Sequence, residues 1–244
     1  MNSGVDVSKA GLLWAARVCE WRGDFAEAQR LATEALERDG NFVEALLVRA
    51  VSRRVVGALE GAHGAIADYT RCIEIDPDCD CAFRFRAACL TELASRRGTA
   101  EMRSSLHQAE EDLAQAVRLD PANEQAMLSL IETAILGERY REAFGHAGEA
   151  WSAVRDPGNR VIGAWLGCIA GILAGRPRRT WERYLDELQA RHATLGPLSW
   201  CVAEINGVLA RVEAEGRYDA GALADLASVH ELFLGHFEER PVLR

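Results

Sequence analysis

Lysine is almost missing from this sequence: Lys9 is the only one, and all other fixed positive charge is arginine. A genomic composition bias is the simplest reading of that imbalance. Proline is sparse, at six in 244 residues, and aromatics make up 7%. With few helix breakers, long helical runs are open to the chain. Positive charge is also in deficit, since 37 Asp and Glu against 28 Lys and Arg give a net charge of −9. That balance argues against a nucleic-acid binder held by phosphate neutralisation and against docking on an anionic membrane. No run approaches the roughly 18–20 apolar residues of a membrane span. Asp6, Arg17 and Glu20 interrupt the N-terminal stretch, so no signal peptide is expected. The chain is therefore expected to be soluble and cytoplasmic, with neither nucleic acid nor membrane as partner.

The seven cysteines are Cys19, Cys72, Cys79, Cys81, Cys89, Cys168 and Cys201. They are odd in number, scattered, and mostly set in apolar helical stretches, where cysteine behaves as a small hydrophobe. Cys79-Asp-Cys81 has one intervening residue, not the spacing of a zinc site, and no second Cys/His pair stands at ligand spacing. On a helix, residues two apart point about 200° away from each other. The two thiols can converge only if Cys79 stays outside the helix. The expected role is a substituted cap and a packed or groove-lining thiol.

What is present is repetition. "LERDGNFVEA", "IEIDPDCDCA", "VRLDPANEQA" and "AVRDPGNRVI" share an aspartate, then Pro or Gly, then polar residues, then a new apolar run. The aspartates are Asp39, Asp76, Asp120 and Asp156, spaced by 37, 44 and 36 residues. Pro ends a helix because it lacks an N–H and disfavours α geometry in the residue before it. A polar side chain just beyond can cap the next helix, a role open to Asn123, Asn159 and Asp80. Before each joint lies an amphipathic segment at i, i+3, i+4, i+7 spacing. These carry Phe25, Ala28, Leu31, Ala32, Ala35 and Leu36; then Ala65, Tyr69, Cys72 and Ile73; then Leu106, Ala109, Leu113, Ala116 and Val117; then Tyr140, Ala143, Ala147, Ala150 and Trp151.

With those residues in place, the chain resembles the tetratricopeptide repeat (TPR) family, which stacks antiparallel helix pairs at a period near 34. The first repeat supplies Ala16, Gly23, Phe25, Ala28 and Ala35; the second Ala50, Ala65, Tyr69, Cys72 and Pro77; the third Ala87, Ala109, Leu113, Ala116 and Pro121; the fourth Gly137, Tyr140, Ala143, Ala147 and Ala150. Departures are Gly40 in place of a proline, insertions near "GALEGAHG" and "ASRRGTAEMRS", and bulky Ile131 where the family prefers a small residue. The resemblance implies an all-α, right-handed α-solenoid of TPR-like helix pairs. Four repeats are expected over 9–157 (about 9–42, 43–79, 80–123 and 124–157). A degenerate repeat plus a C-terminal capping hairpin are expected over 158–244, for about twelve helices and no strand.

Catalytic constellations are not found. "HELFLGH" fails as a metalloprotease helix because Leu234, not histidine, stands four residues after His230. His63, His107, His146 and His192 are isolated, and Glu110-Glu111 and Glu238-Glu239 read as solvated charge. No G-x-S-x-G, Walker loop or G-x-G-x-x-G occurs. The basic cluster "RPRRTWER" reads as solvated and paired with the chain's own carboxylates. No cofactor, metal or enzymatic activity is expected.

The resemblance further implies that the first helix of each pair lines a concave peptide-binding groove. Its expected residues are Arg17, Trp21, Leu47, Val51, Arg54, Cys81, Arg84, Glu92, Leu128 and Glu132. Trp21, Leu47, Val51 and Leu128 would give apolar anchorage; Arg17, Arg54 and Arg84 would give forked donors for carboxylates. TPR domains that clamp the acidic tails of heat-shock chaperones use a basic set at places held here by Leu13, Arg17, Val48, Cys81 and Phe85. Only Arg17 is basic, so that specialised role is not expected. The expected function is a scaffold or adaptor that holds a peptide or helix of another protein. Two alternatives are a helical enzyme or small-ligand sensor walled by Trp165, Trp181, Tyr184 and Trp200, and a self-associating protein forming homo-oligomers.

Overall fold

The computed structural model of the chain describes residues 8–61, 64–95, 99–191, 200 and 202–235. His63, His192, Cys201, His236, Gly196-Pro197 and Glu238-Glu239 lie outside the described residues. Twelve helices and no strand occur among those described. They are α1 Lys9–Trp21, α2 Phe25–Arg38, α3 Val43–Val55, α4 Ala65–Ile75, α5 Asp80–Ser95 and α6 Thr99–Leu119. The chain continues as α7 Glu124–Leu136, α8 Tyr140–Ala153, α9 Pro157–Leu173, α10 Arg178–Arg191, α11 Ala203–Glu215 and α12 Ala220–Leu234. The architecture is all-α, built of TPR-like helix pairs. None of these helices is long and apolar enough to cross a membrane. Two compact units divide between Leu119 and Asp120.

The recurring aspartates build the joints by one mechanism used three times. Asp39 Oδ1 accepts from the Asn41 amide at 3.1 Å, Asp76 Oδ1 from Asp78 at 3.2 Å, and Asp120 Oδ1 from Ala122 at 3.0 Å. The carbonyls of the same aspartates accept from Phe42, Cys79 and Asn123, three residues on. Each is thus an Asx turn doubled by a backbone turn, a local arrangement that competes with helix continuation. The fourth aspartate departs from this. Asp156 caps α9, accepting from the Asn159 amide at 2.9 Å, with Pro157 in the first turn. Asn123 caps α7 as expected, whereas the Asn159 side chain donates to Glu124 at 2.8 Å instead of capping.

In the first unit each helix packs on its sequence neighbour, and α3 also touches α1 and α5. Ala16, Ala28, Ala32, Ala35, Ala45, Ala50, Ala65, Ala82 and Ala87 are fully buried along these crossings. Polar locks fix the pairs. Asp68 on α4 is buried and accepts from Arg49 at 3.0 and 2.7 Å and from Arg53 at 2.6 Å, both on α3. One repeat later, Asp112 on α6 takes a two-pronged grip from Arg86 on α5 at 2.8 and 2.7 Å. Burial raises the Asp112 pKa, against the lowering effect of Arg86.

The second unit is held differently. The helix α9 packs on α7, α8, α10 and α12, while α11 lies on α7. Twelve of the seventeen α9 residues are buried. Gly167 and Gly171 bring its backbone against α10: a Cβ on Gly171 would lie 2.9 Å from Trp181 Cβ, and one on Gly167 3.0 Å from the Tyr184 ring. Gly145, exposed on α8, has nothing within 4 Å of its would-be Cβ. The same substitution should therefore take opposite signs at two helical sites. Gly145→Ala is expected to raise stability by about 0.5–1 kcal/mol through helix propensity. Gly171→Ala is expected to lower it by about 1–3 kcal/mol through overpacking, read as opposite shifts of the urea midpoint.

Candidate functional site

The expected groove residues of the first unit stand on α1, α3 and α5. Arg17 and Trp21 on α1 are exposed, and Trp21 keeps 87% of its surface in water. Leu47, Val51 and Arg54 on α3 are half-buried, at i, i+4 and i+7 on one face. Cys81, Arg84 and Glu92 on α5 are half-buried as well. Arg54 Nε lies 3.6 Å from the Glu92 carboxylate, tying α3 to α5. The Arg84 guanidinium lies 4.1 Å above the Phe85 ring, which stacks on Tyr69 at 5.9 Å. Tyr69 is fully buried, and its hydroxyl has no hydrogen-bond partner among the described residues. Burial pushes that hydroxyl pKa up, and also lowers the pKa of Arg84. Among the described residues no carboxylate sits within ion-pair distance of Arg17 or Arg84; Glu20 and Asp80 on their own helices act on them only at longer range, which leaves the guanidinium N–H groups open as donors.

In the second unit, two of the expected groove residues are covered by the chain's own helices and side chains. Leu128 on α7 is fully buried, with its Cδ2 3.1 Å from where a Cβ on Gly163 of α9 would stand. Glu132, one turn on, is half-buried and accepts from Trp200 Nε1 at 3.2 Å. The physical reason is that α11 lies over α7 and α12 over α9, so these inner positions are covered by the chain itself. The aromatics considered as walls of a ligand pocket are packed rather than open. Trp165 stacks on Phe233 at 4.0 Å, and Trp181 and Tyr184 are buried against α9.

Other readings also resolve. His107 and His146 sit 3.7 Å from Glu111 and Glu149, local pairs on their own helices. His230 is instead half-buried beside Trp165, and burial lowers its pKa. Arg178 of the basic cluster pairs with Asp225 at 3.0 Å. The sequence reading missed the exposure of Trp14, 71% open. Trp14 and Trp21 are seven residues apart on α1, opposite buried Leu12 and Ala16, a spacing that could have flagged an apolar stripe without a partner.

Glu132 carries a pH dependence. Burial pushes its pKa up to about 8, with the Trp200 hydrogen bond opposing and Glu204 adding to the rise. The folded chain keeps this proton while the unfolded chain releases it near the ordinary value of 4.5, so stability is lost as pH climbs between the two. Glu132→Gln should hold its stability better than the native chain across that window. Parallel denaturation curves from pH 5 to pH 8, with no divergence, would contradict the assignment.

No protein-family model and no curated protein sequence matches this chain. Solved structures do match in shape. A MamA fragment from Desulfovibrio magneticus RS-1 superimposes with a TM-score of 0.62 at 16% identity, over 76% of this chain and 97% of the other. The thermophilic TPR protein TTC0263 of Thermus thermophilus gives 0.57 at 16% identity, over 92% and 100%. YrrB, described as a TPR protein with an unusual peptide-binding site, gives 0.58 at 14% identity, over 75% and 86%. Joints, helix pairs and these superpositions agree: by fold, this chain is a tetratricopeptide-repeat-like helical-repeat protein.

Proposed function

We propose that the first unit is a protein-interaction module whose α1, α3 and α5 hold a short segment of a partner carrying both apolar and acidic residues. The observation that carries this reading is a pair of guanidiniums, on Arg17 and Arg84, that among the described residues have no carboxylate within ion-pair distance and feel Glu20 and Asp80 only at longer range, in a chain with nine excess negative charges. Around them stand Trp21, Leu47 and Val51, part-open apolar side chains on α1 and α3. Apolar burial would supply most of the affinity and the arginines its orientation. The likeness in shape to YrrB, whose name includes a peptide-binding site, fits the same reading. The positions on α7 play no part in it, because α9 and Trp200 cover them.

A second reading, self-association, is favoured by one observation: Trp14 and Trp21 form an exposed stripe along α1. Sedimentation velocity over a concentration series separates the two. A sedimentation coefficient that rises with concentration, and stops rising in a Trp14→Ser, Trp21→Ser variant, would establish association of copies through α1. A constant monomer value would dismiss it.

The groove itself is tested by reversing its charge. The Arg17→Glu, Arg54→Glu, Arg84→Glu variant, checked for an unchanged helical circular dichroism spectrum, should lose partners that the native chain retains from a lysate of its host. Equal retention by both chains would remove this function.

A further inference from the structure

The joint between α4 and α5 holds two thiols that the proposed function does not need. Cys79 lies just outside α5, which begins at Asp80, and Cys81 lies in its first turn. The carbonyl of Cys79 accepts from the Ala82 amide at 3.1 Å, a tight turn that folds one cysteine over the other. Their sulfurs are 3.3 Å apart. The divergence expected for two residues on one helix is therefore avoided by leaving Cys79 in the joint. Both side chains are half-buried, so each keeps some access to solvent. Three other cysteines lack this: Cys72, Cys89 and Cys168 are buried, and Cys72 Sγ is turned to the Val43 carbonyl at 3.8 Å.

Two sulfurs in contact can share a metal or form a bond. A stable soft-metal site needs three or four ligands, and among the described residues no group of three or more His, Cys, Asp or Glu could hold one. Bond formation needs only the two sulfurs and a further approach from their 3.3 Å contact to bonding distance. We propose that Cys79 and Cys81 are a redox pair, a dithiol that closes to a disulfide by exchange with a low-molecular-weight disulfide. This assignment does not rest on the groove reading.

The exchange runs in two steps. The Cys79 sulfur, as thiolate, attacks one sulfur of the small disulfide; a Cys79–sulfur bond forms, the small S–S bond breaks, and one small thiol leaves. The Cys81 sulfur then attacks Cys79, the Cys79–Cys81 bond forms, and the second small thiol leaves. Two electrons pass from the protein to the small disulfide, and the two cysteine protons end on the departing thiols. Burial pushes the Cys81 thiol up to about 12, so little of it is thiolate at neutral pH, and the second step relies on its target being held 3.3 Å away. With no stabilised thiolate at Cys81, the reduced form gains little advantage over the disulfide.

The test uses the full chain and oxidised glutathione. After incubation, alkylation and tryptic cleavage, the peptide 72–84 carries Cys72, Cys79 and Cys81. It is expected to carry a single alkyl group, on Cys72, and to lack one hydrogen on each of Cys79 and Cys81, a state that dithiothreitol before alkylation converts to three alkylated cysteines. Cys72→Ser should still close. Cys79→Ser should not, and Cys81→Ser should keep one glutathione on Cys79. The proposal is overturned if the native peptide stays reduced or gathers glutathione without closing. Closure that persists in Cys79→Ser overturns it equally, since the bond would then join Cys72 to Cys81.

Discussion

How closely two helix backbones approach sets everything else in the first unit. Eleven of its described residues are fully buried alanines. An alanine removes little apolar surface from water, so each contributes modestly by area. Its importance is geometric. Small side chains let neighbouring helices sit at short interaxial distance, and a close-packed interior cannot absorb an added methylene without strain. With the backbones so near, the larger residues Leu12, Leu46 and Tyr69 fill the remaining gaps, and the helix pairs stack one on the next.

A seam of alanines is smooth and would slide. Orientation in the first unit comes from Asp68 and Asp112, each gripped by arginine from the preceding helix of its own pair. Buried ion pairs add little net stability because desolvation offsets attraction, yet losing one partner strands a charge. At Asp112 burial raises the pKa against the lowering effect of Arg86, the direction expected where desolvation opposes pairing. Such pairs act as keys that admit a single register. The second unit solves the same problem with shape: glycines on α9 receive Trp181 and Tyr184 of α10, and Trp165 lies flat on Phe233 of α12. Ring against backbone fixes the fit there, and the half-buried pair of Arg160 on α9 with Glu187 on α10 at 3.2 Å adds to it.

Much of this was legible in the sequence because local rules dominate the repeat. The Asp-Pro joints and the periodic alanines depend on neighbours within one turn, and the helices fall where that periodicity places them. What escaped depends on contacts distant in sequence. No spacing rule links Arg49 to Asp68, nor says that α11 would settle on α7 and cover Glu132. The Cys79–Cys81 contact meets the one condition under which these thiols converge, that Cys79 stays outside the helix. Helical divergence was the right rule, but the turn closed by Asp76 holds Cys79 just short of the helix to which it would apply. Where Arg17 and Trp21 would stand was readable from the repeat pattern; that Leu128 would be sealed by α9 was not.

Charge placement gives the open face of the first unit its character. Several surface arginines are already satisfied along their own helices, as Arg30 is by Glu27 and Glu34, and Arg71 by Glu74. Those pairs are exposed and add little. Arg84 differs: its guanidinium rests on the Phe85 ring and is half out of water before any partner arrives. A carboxylate meeting it displaces less solvent than one meeting a fully hydrated arginine, and stacking limits the entropy lost on pairing. Under the proposed function, the surplus of acid elsewhere on the chain would repel acidic segments that do not land there. Attraction at one face and repulsion elsewhere would together favour a single docking position, which neither would achieve alone.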